Sequence, residues 1–106
     1  YMEENKKILQ LIKTTVYYYI PDAEVSLFGS RARTDADIDS DYDILVITNQ
    51  MLSPKEKLPL KTSIRKKLLQ SGIRTDILIQ SKKDISIKRN LPGHIIRNIL
   101  KEAIML

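Results

Sequence analysis

The chain has 106 residues, 42% hydrophobic and 29% charged, with a formal net charge of +5. That balance fits one folded domain around a single core and argues against disorder. It has no cysteine and one histidine, which excludes disulfides, thiol chemistry and a histidine-rich zinc site. No apolar run approaches the roughly 18 residues of a membrane span, and no signal-peptide pattern opens the sequence. A cytoplasmic protein without a membrane role is expected.

The charge is unevenly spread. More than half of the acids fall between Asp22 and Asp43, whereas Lys55 to Lys101 carries most of the Lys and Arg. Such basic content is commonly a solvated helix face; its functional reading is a surface for phosphates or an acidic partner. Most of the tyrosines sit near the N-terminus, so stacking platforms for single strands are not evident and direct nucleic-acid binding is not expected.

Glu3 to about Tyr19 reads as a helix, with Ile8, Leu9, Leu11, Ile12, Val16 and Tyr19 on one broad face. Tyr17, Tyr18 and Tyr19 point in different directions on a helix, which suits packing and rim better than a site. Pro21-Asp22 ends the helix. Ala23 to Phe28 is a short strand, and Gly29-Ser30 turns it into a brief helical segment around Arg31 to Thr34. Tyr42 to Thr48 is the second strand, apolar on both faces beyond Asp43, as expected where a strand is buried on two sides.

Ser53-Pro54-Lys55-Glu56 has the capping-box form with proline at the first helical position. Pro59 implies either a short turn before a helix starting near Leu58 or a kink. Ile64 and Leu68 mark the buried face, and Ser71-Gly72 is a stop. Ile73 to Gln80 is the third strand, with Asp76, Leu78 and Gln80 on one face. Lys82 to Asn90 reads as a basic loop with a turn of helix. Leu91 to Leu106 reads as a final helix whose buried stripe is Ile95, Ile96, Ile99, Leu100 and Ala103. The order predicts an α+β domain over residues 1–106: a small mixed sheet of about three strands covered by helices on one side.

Gly29-Ser30, then ten residues, then Asp41-Tyr42-Asp43 is the pattern that carries chemistry. Glycine admits close approach of a phosphate to the backbone, because no Cβ blocks it. Ser30 at a helix start offers a hydroxyl and an N–H beside the positive dipole end, and Arg31 and Arg33 add charge. Side chains at i and i+2 of a strand share a face, roughly 6–7 Å apart at Cα. Asp41 and Asp43 can therefore close on a hard divalent cation such as Mg2+. Asp76 on another strand could complete the site and accept the proton of an attacking hydroxyl. Three carboxylates around a polyphosphate cradle describe nucleotidyl transfer, in which a hydroxyl attacks the α-phosphorus and pyrophosphate leaves.

The alternation of Asp35, Asp37, Asp39, Asp41 and Asp43 invites a calcium-loop reading. An EF-hand starting at Asp35 needs Gly at its sixth position and Glu at its twelfth, where Ser40 and Val46 stand, so that reading fails. Asp35, Asp37 and Asp39 are taken as exposed loop acids. His94, after Pro92-Gly93, is taken as a surface or packing residue.

At these residues the chain resembles the DNA polymerase β-like nucleotidyltransferase superfamily, whose signature is similar to Gly29-Ser30 followed by Asp41-x-Asp43. In length and layout it resembles the minimal nucleotidyltransferases of prokaryotes, including the ending Ile96-Arg97-Asn98-Ile99-Leu100-Lys101-Glu102. The resemblance implies a nucleotidyltransferase fold, Mg2+ and ATP, with Gly29 and Ser30 on the triphosphate, Asp41 and Asp43 on the metals, and Asp76 as third catalytic carboxylate. It also implies a partner: such proteins commonly act as antitoxins that transfer AMP to a tyrosine of a HEPN-domain ribonuclease toxin. A homo- or hetero-oligomer fits that role. One departure is Thr34, where many members carry Gly after Ala-Arg; it touches none of the three carboxylates. Two other readings stay open: an antitoxin that neutralises by occlusion with its nucleotide site idle, and nucleotidyl transfer to a small molecule. The shortness of the chain leads one to expect the acceptor on another protein.

Overall fold

Val, Ile and Leu fill both faces of the strand that begins at Tyr42, and this strand becomes an interior strand of the sheet. The computed structural model describes residues 2–33, 37 and 40–106. Its elements are α1 (Met2–Tyr19), β1 (Glu24–Phe28), α2 (Gly29–Arg33), β2 (Tyr42–Thr48), α3 (Pro54–Leu69), β3 (Thr75–Ser81), α4 (Lys82–Lys88), α5 (Ile95–Glu102) and β4 (Ile104–Met105). The sheet order is β3-β2-β1-β4. β2 runs parallel to β3 and antiparallel to β1, and β4 pairs antiparallel with β1. The sheet is mixed, as expected, with a fourth short strand beyond the three read from the sequence.

Alternation along β2 divides the core. Ile44 and Val46 join Ile77 and Ile79 of β3 against Ile12 and Val16 of α1 and Ile64 and Leu68 of α3. Leu45, on the other face, packs with Ile96 and Ile99 of α5 and the half-buried Leu78. Helices therefore cover both faces, which corrects the expectation of one covered side. A parallel β2–β3 pair needs a crossover, and α3 supplies it. No helix among the described residues is long and apolar enough to cross a membrane.

α3 starts where its cap directs. The Glu56 N–H donates to the Ser53 hydroxyl at 3.2 Å, and the Ser53 N–H donates to the Glu56 carboxylate at 3.0 Å. The helix then runs through Pro59 to Leu69. A second capping box, Ser81 with Asp84, starts α4, where only a turn of helix was expected. The final helix stops at Glu102 rather than Leu106. Ala103 adopts φ −65°, ψ 136°, and the chain crosses to the open edge of β1, where the Leu106 N–H donates to the Val25 carbonyl at 2.9 Å. Ile95 is 65% exposed, outside the buried stripe assigned to it. Tyr17 and Tyr18 are exposed, as rim residues should be, and the rings of Tyr18 and Tyr19 meet edge-on at 5.0 Å. Thr34, Asp35 and Asp39 lie outside the described residues; Asp37 is exposed.

Candidate active site

Strand register assembles the centre of the site. Asp43 and Asp76 are direct partners across the parallel β2–β3 pair, and Phe28 is the partner of Asp43 across β1–β2. Neighbouring strands lie about 4.8 Å apart, so the two carboxylates leave the same face side by side. Phe28 is the last residue of β1, so the Gly29-Ser30 turn emerges directly beside Asp43.

The structure gives Gly29 a reason that the sequence did not suggest. Its φ is +73°, and a Cβ there would collide with Oδ2 of Asp43. Glycine is required because the carboxylate occupies the space, and because an L side chain is strained at that φ. Ser30 follows as the second residue of α2 and is half-buried.

Asp43 itself is half-buried. Burial, then the neighbouring charges of Asp76 and Asp41, push its carboxyl above the usual carboxylate range, against a smaller opposing pull from Arg33. Negative charge is thus concentrated where an ionised carboxylate is least comfortable. Asp41 lies just before β2, is about half exposed and pairs with Arg74 at 3.4 Å. Among the described residues no three acids are gathered closely enough to hold a metal ion as they stand. The donor set nevertheless suits a hard divalent cation: it is all oxygen, it stacks like charges, and its inner member is destabilised when ionised without a counter-charge.

The arginines assigned to the cradle also work as struts. Nε and Nη2 of Arg31 donate to the Ser40 carbonyl at 3.2 and 2.9 Å, and the guanidinium lies 4.4 Å from the centroid of the Tyr42 ring. Arg31 thereby ties the approach to Asp41 back to β2. Nη1 of Arg33 donates to Oε2 of Glu102 at 2.9 Å, and the Gly29 N–H donates to Oε1 of the same carboxylate at 3.0 Å. Glu102 was not singled out from the sequence. Its 73-residue separation from Gly29 leaves no local signal to find it.

On the β3 side, a cavity of about 370 Å³ is lined by Asp41, Asp76, Arg65 and Arg74, with Leu69, Ile73 and Thr75. Asp76 is exposed towards solvent, as Asp41 is. His94 has a plain structural role: its Nδ1 accepts from the Ile96 N–H at 3.1 Å and caps α5.

Residues 5–106 match the nucleotidyltransferase domain family. The chain is also similar to the solved structure of a protein assigned as a minimal nucleotidyltransferase. That match has a TM-score of 0.61 at 26% identity and covers 98% of this chain and 94% of the other. No curated protein matches the chain in sequence.

Proposed function

The chain belongs to the nucleotidyltransferase domain family, and from that premise we propose that it transfers AMP from ATP to a tyrosine of a HEPN-domain toxin, as that toxin's antitoxin. The single observation that carries the catalytic part of this reading is the β2–β3 register, which sets Asp43 and Asp76 side by side next to the Gly29-Ser30 turn. The openness of the site supports a macromolecular acceptor. Asp41 and Asp76 are exposed, and the cavity beside them carries two guanidinium groups.

In this mechanism Ser30, the second residue of α2, would hold the triphosphate through its hydroxyl and its backbone N–H. Asp41, Asp43 and Asp76 are the residues that would hold Mg2+, which when bound neutralises charge on the phosphates. Asp76 accepts the proton of the acceptor hydroxyl. The hydroxyl oxygen forms a bond to the α-phosphorus, the bond from that phosphorus to the bridging oxygen breaks, and pyrophosphate departs with its electron pair. Asp43, flanked by Asp76 and by the glycine, stands between the β3 carboxylate and the Gly29-Ser30 turn.

A second reading is favoured by one observation: Arg33 and Asp41 already have partners, Glu102 and Arg74. Under it the protein neutralises its partner by occlusion, and the nucleotide site is idle. The two readings separate when the chain, a HEPN partner, Mg2+ and ATP labelled at the α-phosphorus are combined. Transfer of label to the partner, lost in the Asp41→Ala, Asp43→Ala double variant together with neutralisation, is the expected result. Neutralisation that survives in the double variant, with no label transferred by the wild type, would leave occlusion as the function.

A further inference from the structure

We propose that Glu102 is a positioning residue for the transfer reaction: its carboxylate fixes the Gly29 turn and, through that glycine, the carboxylate of Asp43. This rests on Asp43 being a working carboxylate of the proposed site.

The geometry begins with α2, which has five residues and buries none of them. A helix that short has no stability of its own. One carboxylate holds both of its ends, with Oε1 accepting from the N–H of Gly29, its first residue, and Oε2 from Arg33, its last. Glu102 is in turn held from both sides. Ile96 and Ile99 seat α5 against Leu45, and beyond Glu102 the chain pairs as β4 with β1. The carboxylate is therefore fixed to the sheet, and α2 is fixed to the carboxylate.

The consequence reaches Asp43 through contact. Oδ2 of Asp43 fills the space that a side chain at Gly29 would occupy. A shift of the turn towards or away from β2 changes that space and the position of the carboxylate. Placing another negative charge near three carboxylates is unfavourable; the Gly29 N–H and Arg33 offset it locally. A residue without an acceptor, such as alanine, would avoid that repulsion but would leave the turn unheld. The side chain of Glu102 is 28% exposed, so its bonds to Gly29 and Arg33 are partly shielded from competing water.

The test compares Glu102→Ala with Glu102→Gln, with Asp43→Ala as the inactive control. Glutamine keeps an oxygen that can accept from the Gly29 N–H; alanine keeps none. In Glu102→Ala, kcat should fall about tenfold or more while the KM for ATP stays within about threefold, because misplacement of a reacting group costs rate more than binding. Affinity for Mn2+ alone should fall in the same variant. Glu102→Gln should hold both quantities within about threefold of wild type. Hydrogen exchange at the Gly29 amide gives a readout independent of any reaction: protected in wild type and Glu102→Gln, at least about tenfold faster in Glu102→Ala. If wild type transfers nothing, the functional reading fails, and the exchange and Mn2+ measurements still decide the role of Glu102. Unchanged exchange and Mn2+ affinity in Glu102→Ala would overturn the proposal. So would tighter tripolyphosphate binding in both variants, since Glu102 would then be a competitor for the phosphate donors.

Discussion

Gly29 and Asp43 show how a single contact can constrain two positions at once. Gly29→Ala should destabilise the protein by about 1–3 kcal/mol, from the positive φ alone, and the clash with Asp43 Oδ2 adds to it. Denaturant unfolding with and without Mg2+ would check both the loss and its link to the carboxylate. Asp43 has the opposite sign. Its folded carboxyl is raised above its ordinary 3.8, first by burial and then by Asp76 and Asp41. Its favourable contribution is therefore fully present below the unfolded value and is lost as pH rises through the folded one. Asp43→Asn should raise the metal-free melting temperature near neutral pH by a few degrees at most, because solvent screens a half-exposed group. The gain should vanish in acid, where the wild-type carboxyl is protonated. A gain that persists in acid would show that packing rather than charge is responsible. At this scale the i, i+2 spacing of Asp41 and Asp43 was legible in the sequence. The Asp41–Arg74 pair was not, because it depends on how β3 registers against β2.

Elements with a local signature could be read from the sequence, and elements decided by distant partners could not. The Ser53–Glu56 box announced α3, and its hydrogen bonds are formed. Ser53→Ala should cost about 1 kcal/mol in thermal or denaturant unfolding. Pro59 lies inside the same helix, where it can donate no N–H to the carbonyl of Lys55. Pro59→Ala should stabilise the protein, by up to about 3 kcal/mol if the helix relaxes fully. A loss of stability there would mean that the proline's ring packing outweighs the missing hydrogen bond. The end of α5 was misjudged because Ala103 to Leu106 continues an apolar pattern compatible with helix. The open edge of β1 wins instead, offering backbone partners to Ile104, Met105 and Leu106. Local propensity carries no information about that edge.

Across the whole molecule, the order β3-β2-β1-β4 explains why a short chain can hold a multi-part site. β1 delivers the glycine turn, β2 delivers Asp43, β3 delivers Asp76, and the β4 end of the chain brings Glu102 back to the turn. α5, legible in the sequence as the final helix though not as a cover for the second face, is what carries Glu102 there. Together these groups are proposed to catalyse nucleotidyl transfer. The most direct measurement of that transfer is pyrophosphate release from ATP in the presence of Mg2+ and an acceptor protein, with label followed separately at the α- and γ-phosphorus. The α-label should join the acceptor and the γ-label should leave with pyrophosphate, and Asp43→Ala or Asp76→Ala should abolish both. Transfer of γ-label, or full α-label transfer by either variant, would contradict the proposed catalysis.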